Sequence, residues 1–272
     1  MAIDQLFMRV SRFRHSSQRA GGACERAFSL VELTVVIGIM VLLAALLAPA
    51  FTSIKSAGDV AGASYTVKGV LEQARAYAMA NNTYTWVGVF EEDASQPSTN
   101  PATGGIGRLV ISVVASKDGT TIYSGILSSP ATELDPTRLI QIGKLTKIDQ
   151  IHLKTFPDPT ASPPPDNFST RPVPGATGGS NTARIGDASP DNPSLSPFRY
   201  PVTSAAQYTF TKAIQFSPRG EARIDNNNYS LKSVIEIGVQ PAHGVTPEPS
   251  PVNNPVAVQV TGVGGNIKIY RK

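Results

Sequence analysis

The chain has 272 residues, of which 41% are hydrophobic and 16% charged, with a formal net charge of +4. This composition is typical of a globular protein with one or two domains. The basic charge is concentrated up to Ala27, where the chain nets +3, so overall charge does not indicate a DNA-binding protein. The single cysteine, Cys24, excludes a disulfide within the chain and a cysteine-based metal site.

The first apolar segment runs from Phe28 to Ala48 and contains one charge, Glu32. About 20 apolar residues in a helix cross a bilayer core, so the segment predicts a membrane-spanning helix. The arginines that precede it predict a cytoplasmic N-terminus. Everything after the helix is then expected on the other side of the membrane.

Glu32 separates three interpretations of this segment, because a carboxylate within an apolar span is costly unless it is paired. One is a secretory signal peptide cleaved after Ala48-Pro49-Ala50, although the apolar run is long for one and contains an acid. Another is a plain membrane anchor, which leaves Glu32 unexplained. The third follows from a sequence motif.

The motif is Ala27-Phe28-Ser29-Leu30-Val31-Glu32-Leu33, which resembles the start of type IV prepilins and type II secretion pseudopilins. The resemblance implies cleavage by a prepilin peptidase between Ala27 and Phe28, followed by N-methylation of Phe28. The family usually has glycine where this chain has Ala27. The leader would be residues 1–27, or shorter if translation starts at Met8.

The same resemblance gives Glu32 a role in assembly. In this family the acid of one subunit pairs with the N-terminal amine of its neighbour, and a carboxylate that finds its cation only on assembly also fixes register. The implied partners are the prepilin peptidase, sister subunits and inner-membrane lipids. The implied location is the bacterial inner membrane, single-pass, with a periplasmic head and extraction into a filament.

The helical pattern continues after Pro49, which predicts an amphipathic extension over residues 49–81. Apolar residues recur at helical spacing, and Asn81-Asn82 is a stop signal. The residues that make this stripe are Val60, Ala63, Val67, Val70, Leu71, Ala74, Tyr77 and Ala78. We expect the stripe to pack against a sheet.

Residues 82–272 are predicted to be mostly strands. The strand-like runs are Thr83–Phe90, Leu109–Ser116, Thr121–Leu127, Leu139–Phe156, Tyr208–Phe216, Glu221–Ile224, Ser233–Val239, Val256–Val260 and Asn266–Tyr270. Asp118-Gly119 predicts a hairpin turn between the second and third of these runs. The predicted fold class is therefore α+β and pilin-like, with a long N-terminal helix, transmembrane in its first half, packed on an antiparallel sheet.

The proline-rich stretch 157–207 interrupts the strand pattern. Its prolines, glycines and small polar residues predict a long surface loop inserted in the head, because such a sequence buries little apolar surface. Smaller insertions are predicted at 92–105 and 241–255.

Two segments narrow the resemblance: Leu71–Asp93 (LEQARAYAMANNTYTWVGVFEED) and Leu109–Gly119 (LVISVVASKDG). With the prepilin-like start, they resemble the pseudopilin-like group called Verru-Chthon cassette protein D. The order of parts also resembles H-type minor pseudopilins of type II secretion and FimT-like minor pilins. The resemblance implies a structural subunit of a type II secretion or type IV pilus-like filament.

We find no motif for catalysis or for a cofactor. The histidines His15, His152 and His243 lack metal-ligand spacing, and neither a phosphate-binding loop nor a nucleophile motif occurs. The sequence therefore predicts a protein that is not an enzyme and has no cofactor.

Two further sites are considered as alternatives. Asp225 and Asn227 offer oxygen ligands of the kind that calcium prefers, although asparagine clusters also form plain turns. Lys268, Tyr270 and Arg271 combine basic and aromatic groups that could contact DNA, and FimT-like minor pilins are associated with DNA uptake. A DNA-binding minor pilin is thus the alternative function, and an envelope protein that is only anchored is another.

Overall fold

The computed structural model of the chain describes residues 29–121, 133–158, 168–174, 183–187, 197–224, 231–249 and 254–272, without the side chains of 46–57. The chain divides into two compact units, Met1–Ala48 and Pro49–Lys272. Within the described ranges, the helical elements are α1 at Leu30–Ala80 and a short 3-10 turn at Pro136–Arg138. The strands of these ranges are β1 Thr85–Asp93, β2 Gly107–Ser116, β3 Leu139–Leu153, β4 Arg184–Ile185, β5 Phe198–Tyr200, β6 Tyr208–Phe210, β7 Lys212–Phe216, β8 Ala222–Arg223, β9 Val234–His243, β10 Thr246–Pro247, β11 Val256–Thr261 and β12 Ile267–Arg271.

Most of these strands form one sheet in the order β12-β11-β9-β3-β2-β1-β7-β8. Its pairings are antiparallel, except that β4 lies parallel to β9; β10 also pairs with β9, and β5 with β6 forms a separate ribbon. The Ala222 amide in β8 donates to the Gly262 carbonyl just after β11, at 2.8 Å. Because β8 and β11 lie near opposite ends of the strand order, this bond shows that the sheet curves back on itself.

Strands β1, β2 and β9 are buried on both faces over most of their length, whereas most of β3 is partly or fully exposed. In β1, Val87 and Val89 belong to a core that also contains side chains of α1, which we call the inner core. Trp86 contributes to a second core on the other face, the outer core, where Phe198 and Phe210 of the β5–β6 ribbon cover the sheet. Burial on both faces explains why these strands are near-continuous apolar runs.

The part of α1 that contacts the sheet carries the predicted stripe. Val60, Ala63, Val67, Leu71, Ala74 and Ala78 are all buried in the inner core, and Val70 packs against it. The helix ends at Ala80, and Asn82 has a φ of 48°, a left-handed conformation that commonly ends helices and that asparagine tolerates. The predicted stop at Asn81-Asn82 is therefore confirmed.

The predicted fold class, α+β with a long N-terminal helix, transmembrane in its first half, packed on a sheet, is wrong. The described chain is mostly antiparallel β-sheet, and the buried α1 side chains among those described begin at Val60. Among the described residues, no helix is both long enough and apolar enough to cross a membrane. The prediction treated two different sequence patterns as one. From Val60 onward the helix has one apolar face, which can pack on a sheet. The preceding stretch is apolar on all sides, so its sequence gives no preferred face for packing.

The prediction of a surface loop at 157–207 is also wrong in part. Within this stretch β4 pairs with β9, Arg171 and Ile185 are buried, and Phe198 lies in the outer core. The proline-rich composition hid these contacts, because single anchoring residues have no periodicity that a sequence pattern could reveal.

The predicted hairpin at Asp118-Gly119 is only partly described. Gly119 has a φ of +72°, which suits glycine in a turn, but the expected return strand Thr121–Leu127 falls almost entirely in 122–132, outside the described residues. In the described ranges β2 pairs with β3. The run Tyr208–Phe216 divides into β6 and β7, which belong to different sheets.

Gly88 tests the close contact between β1 and the aromatic ribbon. A Cβ atom there would lie 2.6 Å from Phe198 Cζ and from Phe210 Cβ. Gly88→Ala is therefore expected to lower the free energy of unfolding by about 1–3 kcal/mol. Urea denaturation measures this loss.

Gly69→Ala is the matched control for that substitution. Gly69 is exposed on α1 with nothing within 4 Å of a new Cβ, and alanine there should stabilise the helix by about 0.5–1 kcal/mol. A Gly88→Ala protein as stable as the parent chain would contradict the aromatic packing described above.

Candidate functional site

The first candidate site lies at the N-terminal end of α1. Ala27 and Phe28, the expected processing residues, fall outside the described residues. Glu32 lies in the first turn of α1 and is exposed, and its amide donates to Ser29 Oγ at 3.1 Å. Ser29 thus caps the helix, which leaves the Glu32 carboxylate at a helix N-terminus, where negative charge is favourable.

An exposed apolar surface surrounds Glu32. Between residues 30 and 43 every large hydrophobic side chain is exposed, from 43% at Val36 to 82% at Leu30. These side chains are Leu30, Val31, Leu33, Val35, Val36, Ile37, Ile39, Met40, Val41, Leu42 and Leu43. A continuous apolar surface of this kind marks a contact site.

The C-terminal basic and aromatic residues do not share one face. Arg271 turns toward α1, where its guanidinium carbon lies 5.0 Å from the ring centroid of Tyr65. Lys268 is exposed and Tyr270 half-buried, and alternation along β12 points both away from the Arg271 face. Lys268 and Tyr270 therefore share one face of β12, and Arg271 lies on the other.

The calcium candidates Asp225 and Asn227 lie in 225–230, outside the described residues. Elsewhere, over the part of the chain that the structure does describe, no group of three or more His, Cys, Asp or Glu side chains could hold a metal ion.

A second site, which sequence reasoning missed, centres on His152 in β3. Its Nδ1 lies 2.8 Å from Glu91 Oε1 in β1, and its Nε2 lies 3.5 Å from Asp187 Oδ2, just after β4. Asp187 also accepts from Lys154 Nζ at 2.6 Å and from the Thr155 amide at 2.9 Å. The imidazole therefore lies between two carboxylates, and His152 as a whole is only 4% exposed.

This group lines a cavity of about 620 Å³ that is open to solvent. Phe90, Ile106 and Pro247 give it apolar walls, while Lys212 and Asp187 add charge. The cavity lies where β1, β3, β7 and β9 meet residues 186–187 of the proline-rich stretch. Mixed apolar and convergent polar walls are usual for sites that bind small molecules.

The neighbour of Glu91 in β1, Glu92, is a buried carboxylate with several partners. Ser98 Oγ donates to it at 3.0 Å and Tyr208 Oη at 3.2 Å, while Arg108 Nη1 lies at 3.3 Å and Lys147 Nζ at 3.5 Å. Burial raises the pKa of Glu92, but these donors and cations outweigh it and leave the pKa below its usual value. With all its partners inside the fold, Glu92 is a structural centre that ties the 92–105 insertion to β2, β3 and β6.

The sequence carried weak signals for these groups. Glu91-Glu92 follows an apolar strand run, and His152 lies within the strand-like run Leu139–Phe156. Their convergence depends on the register of β1, β2 and β3 and on the return of Asp187 to the sheet, neither of which is a local property. No protein-family model, no curated protein and no solved structure matches this chain.

Proposed function

We propose that this chain is a structural subunit of a type II secretion or type IV pilus-like filament, processed between Ala27 and Phe28. The single observation that supports it most is the exposed apolar surface of residues 30–43 with one carboxylate, Glu32, in its first turn. An apolar surface of this size is unfavourable in water unless it is buried against another apolar surface. The prepilin-like motif suggests that it is buried against the same segment of sister subunits.

Glu32 supplies the specificity of the proposed contact. When apolar helices pack together, an unpaired carboxylate among them is strongly unfavourable. The methylated amine of Phe28 on a neighbouring subunit is a cation of the right charge, and it exists only after cleavage. Pairing of the two groups then makes assembly depend on processing and fixes the axial position of one subunit against the next.

The proposed location follows from the same segment. Before assembly, lipids of the inner membrane cover the apolar surface, and the unit Pro49–Lys272 faces the periplasm. The buried cores of that unit keep it folded in both settings, because none of their residues lies in 30–43.

Mass spectrometry of the mature N-terminus tests the processing step. We expect a chain that begins at Phe28 and carries one added methyl group. A chain that begins at Phe51 would indicate a signal peptide and overturn the proposal. A chain that retains Cys24, detectable with a thiol label, would indicate a plain anchor and would overturn it equally.

Glu32→Ala tests the assembly step. We expect filament incorporation, measured by cross-linking between subunits in cells, to fall at least about tenfold, which is about 1.4 kcal/mol per contact. The free energy of unfolding should change by less than about 0.5 kcal/mol, because the side chain is exposed in the isolated chain.

Glu72→Ala is the matched control for this loss. Glu72 is exposed on the same helix and pairs with Lys68 at 3.5 Å, so its removal takes away a charge outside the proposed contact. Incorporation should stay at the parent level. Normal incorporation of the Glu32→Ala chain would contradict the role of this carboxylate.

A further inference from the structure

His152 faces a carboxylate at each ring nitrogen. Glu91 Oε1 lies 2.8 Å from Nδ1, and Asp187 Oδ2 lies 3.5 Å from Nε2. Glu91 belongs to β1, an interior strand of the sheet between β2 and β7. Asp187 belongs to residues 183–187, a piece of the proline-rich stretch that we call the Asp187 segment. The imidazole therefore connects this segment to the sheet.

A neutral ring and a protonated ring of His152 differ in how many of the two carboxylates they can donate a hydrogen bond to. A neutral imidazole has one N–H donor and one acceptor nitrogen, whereas an ionised carboxylate only accepts. A neutral His152 would turn a lone pair toward one of its two carboxylates, and an imidazolium attracts both. We infer that Glu91, His152 and Asp187 form a proton-operated latch, which fastens the Asp187 segment to the sheet when His152 is protonated and releases it when the proton is lost.

Other charged and polar groups around His152 also contact the Asp187 segment or its neighbours. These groups include Lys154, directly after β3, and Lys212 of β7. Lys154 Nζ pairs with Asp187 at 2.6 Å, and Lys212 Nζ donates to the Gly186 carbonyl. Gln240 of β9, the cross-strand neighbour of His152, does not titrate. Lys154 and Lys212 thus hold the Gly186–Asp187 end of the segment, Arg184 pairs with Glu236 and Asp158 at the other end, and His152 adds the variable contact.

Asp187 stays ionised while the imidazole changes state. Burial raises the pKa of Asp187, but the hydrogen bonds from Lys154 and from the Thr155 amide outweigh it and hold the pKa below its usual value. The carboxylate is therefore present to meet the imidazolium in mildly acidic solution. In the proposed latch, the proton on His152 distinguishes the fastened state from the released state.

Release matters because, among the residues that the structure describes, the segment has few backbone ties to the sheet. β4 pairs with β9 through Arg184↔Glu236 and Ile185↔Ile237 only, over two residues. Gly186 and Asp187 line the cavity of about 620 Å³ directly. Loss of the latch loosens this wall and widens the access to the cavity, so protonation controls what the cavity admits. This device is independent of the assembly role proposed above.

Hydrogen exchange of the full chain, purified in mild detergent, tests the latch. After correction for intrinsic exchange, protection of the Ile185 and Gly186 amides should fall about tenfold between about pH 5.5 and about pH 8, the range in which histidine changes charge. The sign follows from the proton: the imidazolium state is the fastened one, so protection is high in acid and decreases as pH rises. The His152→Gln chain should show no such fall.

Two further variants separate the latch from its surroundings. His243→Gln, at an exposed histidine 3.9 Å from Glu248, should keep the tenfold fall. Lys154→Met should lower protection at both pH values by the same factor. Constant protection in the parent chain, or a fall that persists in His152→Gln, would overturn the latch. So would a nitrogen NMR spectrum that shows a neutral His152 ring at about pH 5.5, where an unpaired histidine is already protonated.

Discussion

Replacing Glu236 with alanine is expected to lower the free energy of unfolding by about 3–5 kcal/mol, because it leaves buried positive charge without its partner. Glu236 lies in β9 and is 1% exposed. Its Oε2 is 3.0 Å from Arg171 Nε and its Oε1 is 3.6 Å from Arg184 Nε, and both arginine side chains are nearly fully buried. Gln259 of β11 donates to the same Oε2 at 2.7 Å.

The large loss follows from where the two arginines lie. Both belong to the proline-rich stretch, and Arg171 also stacks over the ring of Phe168, with 4.2 Å from the guanidinium carbon to the ring centroid. Among the described residues, Arg171 would then keep the backbone carbonyls of Phe168 and Pro157 and the rings of Phe156 and Phe168, none of which carries a compensating charge. Arg184 keeps Asp158 as a partner, which limits the loss on that side.

Urea denaturation of the full chain measures this loss, and two variants calibrate it. Glu236→Gln keeps an acceptor oxygen and the side-chain size, so we expect an intermediate loss of about 1–3 kcal/mol. Glu72→Ala, in an exposed i,i+4 pair with Lys68, should change stability by no more than about 0.5 kcal/mol. If Glu236→Ala and Glu72→Ala behave alike, the buried network contributes nothing to fastening the stretch.

Gly238→Ala is expected to have the second-largest effect, a loss of about 3 kcal/mol. A Cβ atom at this position would lie 1.8 Å from the Lys154 carbonyl oxygen and 2.8 Å from Phe156 Cε2. The atom that the new methyl group would clash with is a backbone atom. The Lys154 amide donates to the Gly238 carbonyl at 2.9 Å, and this bond holds the two segments of the chain together. A methyl group can be accommodated only if the residues after β3 move away from β9.

Gly143→Ala distinguishes this steric effect from simple backbone strain. Gly143 in β3 has a φ of +70° but nothing within 4 Å of a new Cβ. Alanine there should cost about 1–2 kcal/mol from the left-handed conformation alone. Both variants are measured by urea denaturation, and a Gly238→Ala loss no larger than that of Gly143→Ala would contradict the contact between β9 and the residues after β3.

These two predictions concern the same strand for a structural reason. β9 pairs with four other strands, namely β3, β4, β10 and β11. A change in β9 therefore disturbs several elements at once. The same crowding places the Asp187 segment beside Glu236 on one side and His152 on the other, so the stability network and the proposed latch are neighbours.

The amino-acid sequence was sufficient to locate features that local periodicity encodes. The apolar repeat from Val60 to Ala78 marks the buried face of α1, and the apolar runs around Val87 and Val110 mark the central strands. The single charge at Glu32 within the apolar segment and the prepilin-like motif can also be recognised from the sequence alone. Each of these features depends on neighbours within a few residues, which a sequence pattern can capture.

The folded chain was needed for everything that joins distant positions. Glu91 and His152 are 61 positions apart, and Arg171 and Glu236 are 65 apart, yet each pair is in direct contact. Their meeting depends on strand order and register, and a shift of one residue would turn each side chain to the opposite face of the sheet. The same reason explains the error in fold class: apolar character identified a helix, but only packing showed that the sheet covers it from Val60 onward and leaves residues 30–43 exposed.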